Sequence, residues 1–477
     1  MTGGHPKIPD DIDAELSPKA KKFFYDLIDD YERRIDKLTK RVEKLEMMLA
    51  KLTPRNSSTP PSTVHPHPKP VSTKTASPRK RGGQTGHTKH SRPLVPVEKC
   101  KQVVPLIPTN CRKCDRPLTG TDPHPLRHQV CDIAPMVPEF IEYQLHRLYC
   151  SHCGVSTCAE LPSGVTQGQT GPRLMALTAM LMGHFRQSKR MTSEFLQDLL
   201  NLPGCPSLMV KIQKQVSKSL AKPHEELKNA LAEQGNLCMD ETPTKQGDTK
   251  AWLWTAVAKK FVVFSIFPSR AGTAITSLLG ENFQGIVNCD RAKMYYRLPY
   301  LQWCWAHLIR DIQAMIDSKV PDRVELGQKL SKQTQIIFDR WHRFKSGALS
   351  RDEYRFRAAL EAKQFNALLY QGTGSHDSKL RSQCKSLHMH SEHLWRFVTT
   401  PRIEPTNNVA ERALRPAVIY RKLSFGTQSE SGSRFVERIF SVLQTCRMQN
   451  RNGFEYLVEA IQADLARKPA PKLTPNP

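Results

Sequence analysis

The stretch from Asn236 to Phe267 reads NLCMDETPTKQGDTKAWLWTAVAKKFVVFSIF and decides the fold that we expect for this chain. It contains three apolar, β-rich runs separated by short polar turns, at residues 237–240, 252–258 and 261–267. Strands joined by such short turns predict the antiparallel start of a sheet. Residues 274–279 then predict a helix, and residues 286–289 predict a fourth strand, which a helical crossover makes parallel.

Two aspartates end apolar runs in this region. Asp240 ends the run that begins at Asn236, and Asp290 ends the run that begins at Gly285. We expect both carboxylates at the tips of buried strands. Residues 302–310 predict another buried strand that leads into a helix, and the whole succession describes the first part of a ribonuclease H-like core. In such a core Asp240 and Asp290 end neighbouring inner strands.

A glutamate in a helix-like segment supplies a third carboxylate. Glu411 lies between Thr406 and Pro416, in a helix that we expect Asn407 or Asn408 to cap and Pro416 to stop. Two strand-end aspartates and a helix glutamate can share two Mg²⁺ ions about 3.5–4 Å apart, since Mg²⁺ is a hard cation that prefers oxygen ligands. The alternative is that these are ordinary surface carboxylates, which follow strands in many proteins.

The composition indicates an anionic partner. The 477 residues include 71 Lys+Arg against 45 Asp+Glu, a formal charge of +26, and nucleic acid is the natural partner of such a chain. A basic surface without that partner is the alternative. No apolar run approaches the ~18 residues of a membrane helix, and the N-terminus lacks a signal-peptide core. We therefore expect a reducing cytoplasm, where the 13 cysteines are metal ligands or core residues rather than disulfides.

Apolar residues recur in alternating steps of four and three from Phe24 to Leu52. The a positions are Ile28, Ile35, Val42 and Leu49, and the d positions are Tyr31, Leu38, Leu45 and Leu52. Mostly β-branched a residues with mostly leucine at d favour a parallel two-stranded coiled coil. Residues 1–52 are therefore predicted to form a dimerisation helix, and the alternative is an amphipathic helix folded onto its own domain.

Residues 53–98 are rich in Pro, Ser and Thr and predict a flexible, disordered linker. Its basic end carries Arg79, Lys80 and Arg81, which are candidates to follow a phosphate backbone. A solvated run of charges is the alternative.

Two CxxC pairs predict a zinc-binding module at residues 99–165. Cys111, Cys114, Cys150 and Cys153 are the predicted ligands, because paired knuckles can hold one tetrahedral Zn²⁺ through four thiolates. Residues 140–149 alternate as a strand that leads into the second pair. The alternative is four unligated cysteines, and the possible substitutes for one ligand are Cys100, Cys131, Cys158 and His152.

Residues 170–232 predict a helical region. A turn at residues 202–206 precedes a segment whose outer face carries Lys211, Lys214 and Lys218. The pattern fits a DNA-reading helix-turn-helix and equally a helical hairpin with a basic outer face. Farther along the chain, residues 312–402 are helical and strongly charged, and predict an insertion between Asp290 and Glu411.

Several motifs in order resemble the transposases of the insertion sequence 66 family, which are bacterial DDE transposases. The resemblance lies in Asp240-Glu-Thr, Asp290, Cys304-Trp-Ala-His307, Asn407-Asn-Val-Ala-Glu-Arg-Ala-Leu-Arg-Pro416 and Arg421-Lys422. It extends through Gly82-Gly-Gln-Thr-Gly-His87 and the cysteine pairs to the N-terminal helix, and covers most of the chain. Two positions depart from the family pattern: residues 205–209 lack a Ser-Gly-Thr-like helix entry, and after His307 only Arg310 remains of an arginine pair.

The resemblance implies that Asp240, Asp290 and Glu411 are the DDE residues and hold two Mg²⁺ or Mn²⁺ ions per active site. It implies DNA cleavage at the ends of an insertion sequence, followed by attack of the freed 3′-hydroxyl on target DNA, without a covalent protein intermediate. The expected partners are both DNAs, a homodimer or higher oligomer through the coiled coil, and small companion proteins of the same element. The expected setting is the nucleoid of a bacterial cytoplasm.

Further basic residues surround the predicted site. Arg412, Arg415, Arg421 and Lys422 are candidates to hold the DNA backbone, and so is Arg310. Arg415 can equally pair with Glu411 at i,i+4. His307 either contacts a phosphate, orients a carboxylate or is a hydrogen-bonded structural histidine.

The expected fold class is multidomain α/β, with an N-terminal coiled coil, a small zinc-binding module, a helical DNA-binding region and a ribonuclease H-like catalytic core with a helical insertion. The core is divided into residues 236–311 and 403–466, and residues 467–477 are expected to form a disordered tail. Two other functions remain open. A structure-selective nuclease of the same fold would not need the coiled coil and zinc module, and an inactive transposase-derived DNA-binding protein would not need all three carboxylates.

Overall fold

The computed structural model describes residues 16–50 and 93–474 and is mixed α/β. The chain divides into two compact units, one of residues 1–65 and 142–477 and the other of residues 66–141. Arg79, Lys80, Arg81 and most of the predicted linker lie outside the described residues, as do the last three residues of the predicted tail. None of the helices in the described part combines the length and the apolarity that spanning a membrane requires.

The N-terminal heptad pattern lies in one long helix, α1, Pro18–Ala50. Among the seam residues whose side chains the structure describes, Ile35 and Leu38 are each 60% exposed in the single chain, and Tyr31 and Val42 are also exposed. An apolar stripe of this length gains free energy only when another surface covers it. The helix Pro18–Ala50 covers part of the predicted residues 1–52, of which residues 1–15 and 51–52 lie outside the described residues. Its pairing with a second copy stays a prediction.

The smaller unit contains the first CxxC pair. The Cys111 N–H donates to the Arg116 carbonyl at 2.9 Å, and the Asp115 N–H donates to the Cys111 carbonyl at 2.8 Å. The turn closes through Asp115, which has a φ of 56°. The N–H groups of Lys113 and Cys114 point at the Cys111 sulfur and lower the pKa of its thiol.

The second CxxC pair, in the larger unit, forms the same kind of turn. The Cys150 N–H donates to the Val155 carbonyl at 2.9 Å, and the Gly154 N–H donates to the Cys150 carbonyl at 2.8 Å. Gly154 has a φ of 71°. The N–H groups of Cys153 and His152 lower the pKa of the Cys150 thiol.

The strand that leads into this second turn is shorter than predicted. Strand β1 spans Arg147–Tyr149 and pairs with β2, Ser156–Cys158. The predicted strand began at Phe140, but this residue is 84% exposed and lies outside the ladder. Alternating apolar residues form a strand only where a partner supplies hydrogen bonds, and here β2 offers three residues.

Four helices follow, as predicted for residues 170–232: α2, Pro172–Met182; α3, Lys189–Leu200; α4, Pro206–Ser219; and α5, Ala221–Asn229. Helix α4 buries Met209, Ile212 and Val216, and packs against α2 and α3. Because its apolar residues recur every three or four positions, the opposite face remains exposed.

Five strands form one mixed sheet in the order β5-β4-β3-β6-β7. Strands β3, Asn236–Gln246, β4, Thr249–Val257, and β5, Val262–Phe267, are antiparallel neighbours. Helix α6, Gly272–Leu279, leads to β6, Ile286–Cys289, and β7, Leu301–Trp303, follows. Strands β6 and β7 run parallel to β3. The strand directions are those that the apolar runs and short turns predict.

Asp240 does not lie at a strand tip, contrary to the prediction. It is an inner residue of β3, which continues to Gln246 and pairs with β4 along that whole length. The apolar run ends at Asp240 because the second half of β3 forms a hairpin that contains polar residues such as the exposed Lys245. Asp290 does follow the last residue of β6, as predicted.

The predicted helical insertion, residues 312–402, contains the end of α7, Trp305–Ile316, and the whole of α8, Pro321–Lys345; α9, Arg351–Thr373; α10, Ser378–Met389; and α11, Arg396–Thr399. Because α7 continues to Ile316, the predicted boundary at residue 312 cuts this helix. The insertion has an aromatic core around Trp305, whose ring lies 5.2 Å from the rings of Phe365 and Trp395.

Three helices complete the fold: α12, Asn408–Ser424; α13, Glu430–Met448; and α14, Gly453–Leu465. Pro416 does not stop α12, contrary to the prediction, but lies inside it. An internal proline costs about 3 kcal/mol because it removes a hydrogen bond and crowds the preceding turn. Tertiary contacts beyond it offset this cost: Ala417 is buried, and Arg421 donates to the Thr242 hydroxyl at 2.8 Å.

Side chains of α13 accept hydrogen bonds from the backbone N–H groups along the outer edge of β5. The N–H groups of Val262 and Phe264 donate to Thr445 Oγ1 and Ser441 Oγ at 3.1 and 2.8 Å. The Ile266 N–H donates to Glu437 Oε1 at 2.5 Å. These three acceptors recur every four residues along one helix face, so they match alternate donors of the strand. The three N–H groups at this edge of β5 thus have hydrogen-bond acceptors that a neighbouring strand would otherwise supply.

Candidate active site

Asp240 and Asp290 lie side by side on neighbouring parallel strands. The register pairs Cys238 of β3 with Asn288 of β6, so the residues two positions further along each chain reach the same level. Asp290 Oδ1 accepts the Ala292 N–H at 2.9 Å, which holds the carboxylate just beyond β6. The sheet therefore brings these two predicted site residues together.

Glu241, the neighbour of Asp240, points to the opposite face of β3. Its Oε1 atom accepts from Arg270 Nε at 2.8 Å and from Nη2 at 2.5 Å, and its Oε2 atom accepts the Tyr295 hydroxyl at 2.6 Å. Both oxygens of Glu241 are thus occupied within the protein. Asp240 is the β3 carboxylate on the face that α12 covers.

Glu411 lies in the first turn of α12, which begins against the strand that carries Asp240. Asn407, at the N-terminal boundary of this helix, donates from Nδ2 to the Met239 carbonyl at 2.6 Å. Its N–H donates to Cys304 Sγ at 3.1 Å. The predicted capping of α12 by an asparagine side chain is therefore wrong. The Nδ2 group turns to the Met239 carbonyl, and Oδ1, the atom that could accept from the helix N–H groups, is buried without a hydrogen-bond partner among the described residues.

Hydrogen bonds from Asn288 and Trp305 hold the segment that leads into α12. Asn288 of β6 donates from Nδ2 to the carbonyls of Glu404 and Thr406 at 2.8 and 3.2 Å. The Trp305 N–H donates to the Pro405 carbonyl at 2.9 Å. These bonds fix the start of α12, and with it Glu411, relative to Asp290 two residues beyond Asn288.

Glu411 lies beside two residues of α7. Its Oε1 atom lies 3.9 Å from His307 Nδ1 and 3.7 Å from Arg310 Nη2, whereas the i,i+4 candidate Arg415 is exposed. Glu411 Oε1 and His307 Nδ1 are buried, and neither has a hydrogen-bond partner among the described residues. Burial, and after it Arg310, lowers the pKa of His307, so the imidazole is neutral at pH 7. His307, Glu411 and Cys304 offer donor atoms within 4.8 Å of one another.

The carboxylates of this site crowd one another electrostatically. Burial raises the pKa of Asp240 well above its usual range, and the charges of Glu241, Asp290 and Glu411 raise it further. These negative charges repel the ionised form of Asp240, and a bound cation relieves that repulsion. All three acidic residues predicted from the sequence therefore belong to one electrostatic cluster.

Arg270 belongs to this site, although the sequence analysis did not identify it. Its guanidinium, bonded to Glu241, also lies 3.8 Å from Asp290 Oδ2 and 5.0 Å from the centre of the Trp252 ring. Arg270 follows the end of β5, which runs in the same direction as β3. A cation shortly after the third apolar run, separated from Phe267 by Pro268 and Ser269, is the signal that predicts such a position.

The predicted DNA contacts on α4 lie on its exposed face. Lys211, Lys214 and Lys218 are all exposed, and Lys218 Nζ lies 3.9 Å from Asp464 Oδ1 of α14. The helix buries its other side, so these lysines form one basic strip.

The predicted DNA contacts near Glu411 differ in their surroundings. Arg412, Arg415 and Lys422 are exposed on α12. Arg421 is half-buried, donates to Thr242 and the Pro243 carbonyl, and has a pKa that burial lowers. Arg421 thus holds α12 against β3.

The comparisons with known proteins agree with the motifs. The family model described as "Transposase IS66 family" matches residues 167–434, more than half of the chain. The chain is also 24% identical over 430 residues to the uncharacterized protein y4qI of Sinorhizobium fredii, an alignment that covers 81% of this chain and 74% of that protein. The matched family region contains the sheet, the insertion and all three clustered carboxylates. The chain therefore belongs to the IS66 family of transposases, proteins that process DNA during transposition.

Proposed function

We propose that this transposase cleaves DNA at the ends of its insertion sequence and joins the freed 3′ ends to target DNA, with Asp240, Asp290 and Glu411 as its metal-holding residues. The observation that carries the proposal is the convergence of these carboxylates from β3, β6 and α12 into one cluster. The order β5-β4-β3-β6-β7, with three antiparallel and two parallel strands, supports a ribonuclease H-like core.

The residues present fit two Mg²⁺ or Mn²⁺ ions. Asp240, Asp290 and Glu411 supply the hard oxygen donors that Mg²⁺ prefers, and Glu411 Oε1 is a buried acceptor without a hydrogen-bond partner in the described part of the chain. When bound, such ions stabilise the negative charge that develops on a phosphate during in-line displacement.

The chain's own residues would position the reacting groups. Asn407 and Asn288 hold the start of α12 to the sheet and so orient Glu411. Arg310 lies beside Glu411, and Arg270 beside Asp290, where their charges can bind phosphate oxygens of the DNA backbone. His307, neutral and next to Glu411, orients that carboxylate or contacts a phosphate.

Exposed basic residues would bind the DNA beyond the reacting phosphate. We propose this role for Lys211, Lys214 and Lys218 on α4 and for Arg412, Arg415 and Lys422 on α12. Arg79, Lys80 and Arg81 keep the same proposed role, and a strongly basic chain supports it. Arg421 would act indirectly, because its guanidinium is engaged with β3.

The experiment that tests this function uses the purified full-length chain, paired duplexes with the element's terminal sequences and a supercoiled target plasmid. We expect cleavage and joined products with Mg²⁺ or Mn²⁺ and none with EDTA. Cleavage of branched DNA without joining would instead identify a structure-selective nuclease. Binding of the ends without cleavage in either metal would identify an inactive DNA-binding protein.

We propose that α1 pairs with a second copy as a parallel coiled coil. Replacing Leu38 and Leu45 by Glu is expected to convert the dimer into a monomer in sedimentation experiments, because it places charges in two adjacent d layers. The matched control replaces Lys37 and Lys44 by Glu at c positions, outside the seam, and should remain dimeric. A dimer that persists in the leucine variant would contradict the assignment.

We propose that Cys111, Cys114, Cys150 and Cys153 bind one structural Zn²⁺. The two cysteine pairs and the similar turn around each pair support this ligand set. Replacing Cys114 and Cys153 by Ser is expected to remove one zinc per chain, measured by mass spectrometry of the metal content. Replacing the exposed Cys205 by Ser is the matched control and should leave the zinc content unchanged.

A further inference from the structure

A second group of possible metal ligands lies in the helical insertion, outside the carboxylate cluster. His390, Glu392 and His393 occupy the short turn after α10, and their donor atoms lie within 4.8 Å of one another. His393 Nε2 is 3.6 Å from Glu392 Oε1. Ligands of a tetrahedral zinc ion with bonds of about 2.0–2.2 Å are separated by about 3.3–3.6 Å. Small side-chain rotations therefore suffice to bring these donors into range.

The two imidazoles are held in place by aromatic packing. The Trp303 ring of β7 lies 5.9 Å from the His390 ring and 5.1 Å from the His393 ring, and the Tyr296 ring lies 5.2 Å from His390. Trp303 is almost completely buried, so these contacts rest on a rigid part of the sheet. Packing thus pre-positions two nitrogen donors without hydrogen bonds.

One nitrogen of this group lacks a partner. His393 Nδ1 is buried, and no hydrogen-bond partner for it exists among the described residues. Buried polar atoms are ordinarily satisfied by the protein or by a water. The nitrogen that faces Glu392 is the other one, because His393 Nε2 lies 3.6 Å from Glu392 Oε1, and Nε2 is therefore the proposed ligand. Glu392 is partly exposed and gives the site an opening to solvent, through which an ion can enter and water can complete its coordination.

We propose that His390, Glu392 and His393 bind one divalent transition-metal ion of the zinc class. Two imidazoles and one carboxylate suit Zn²⁺, Co²⁺ or Ni²⁺, whereas Mg²⁺ prefers oxygen ligands. All three ligands belong to the turn after α10, so the ion would rigidify that turn, which Gln302 of β7 already holds by donating to the Leu394 carbonyl at 3.3 Å and accepting the Phe397 N–H at 2.9 Å. This site is independent of the proposed catalytic function.

The test measures Zn²⁺ content and Co²⁺ absorption of the full-length, untagged chain. The variant with His390 and His393 both replaced by Gln is expected to lose one metal per chain and to have a lower unfolding temperature in Zn²⁺. The matched control is His376→Gln, which changes an exposed histidine of the same insertion and should retain the metal. Unchanged metal content in the double variant overturns the proposal.

Two further variants keep the test decisive. In a chain that carries Cys114→Ser, Cys153→Ser, Asp240→Asn and Glu411→Gln, neither the cysteine pairs nor the carboxylate cluster should hold Co²⁺. One Co²⁺ should still bind, without the thiolate charge-transfer band that cysteine ligands produce. Failure of that chain to bind Co²⁺ overturns the proposal if it remains folded by circular dichroism. Glu392→Gln leaves the ring packing intact and should weaken Co²⁺ affinity about tenfold or more. An unchanged affinity for Co²⁺ would show that Glu392 is not a ligand and would overturn the proposed ligand set.

Discussion

Replacing Asp240 by Asn is expected to lower DNA cleavage and strand transfer about 10³-fold or more. The amide keeps the shape of the side chain but removes the charge that holds a cation, and metal stabilisation of the developing charge is worth several kcal/mol. The measurement is a comparison of cleavage and joining rates with Mg²⁺ on paired terminal duplexes. Binding of the ends should be retained, because the basic surfaces that we propose for it are unchanged.

The matched control for this variant is Glu241→Gln, one residue further along β3. Glu241 points to the other face and bonds Arg270 and Tyr295, so its loss should reduce activity less than the loss of Asp240. Asp240→Asn should also unfold no earlier than the wild type, because Asp240 is crowded by other carboxylates. An active Asp240→Asn protein with an inactive Glu241→Gln protein would show that Glu241 is the metal ligand instead.

Replacing Glu437 by Gln is expected to remove a pH dependence of stability between about pH 4.5 and pH 7. Burial raises the pKa of Glu437 from 4.5 to about 7, although Arg434 and the Ile266 N–H oppose the shift. Between these values the unfolded carboxyl is ionised while the folded one still holds its proton. The stabilisation is complete below pH 4.5 and is lost as the pH rises through about 7.

This loss amounts to about 3 kcal/mol in the wild type, at about 1.4 kcal/mol for each unit of pKa difference. Urea unfolding at pH 5, 6, 7 and 8 measures it as a fall in unfolding free energy that the Glu437→Gln chain should lack. Glu430→Gln, an exposed residue of the same helix, is the matched control and should follow the wild type. Parallel pH curves for the wild type and the Glu437 variant would contradict the raised pKa.

Much of the sheet could be predicted because its signals are local. Three apolar runs separated by short turns predict β3, β4 and β5, and a run after a helical segment predicts the parallel strand β6. The same reasoning located Asp290 at a strand end. The inner position of Asp240 could not be predicted, because β3 continues as a polar hairpin whose pairing with β4 leaves no apolar pattern.

At the start of α12 and at Pro416, tertiary contacts outweigh the local conformational preferences of the residues. Asn407 and Pro416 have strong local preferences, one for capping and one for stopping a helix. In the structure Asn407 bonds the Met239 carbonyl, and the helix continues past Pro416 to contacts with Thr242. Both partners belong to β3, which is far away in the sequence, and neither is visible in the residues around α12.

The sequence by itself determined the strand directions, the three acidic residues of the candidate site and the family to which the chain belongs. Apolar runs, turns and motifs consist of residues that are neighbours in the sequence, so they can be recognised without the tertiary structure. Only the tertiary structure decided that Asp240 lies inside β3 and that Arg270 joins the site. It also decided that Ser441 and Thr445 seal the edge of β5. The physical reason is that a buried polar group must find a partner wherever packing provides one, and these partners come from distant parts of the chain.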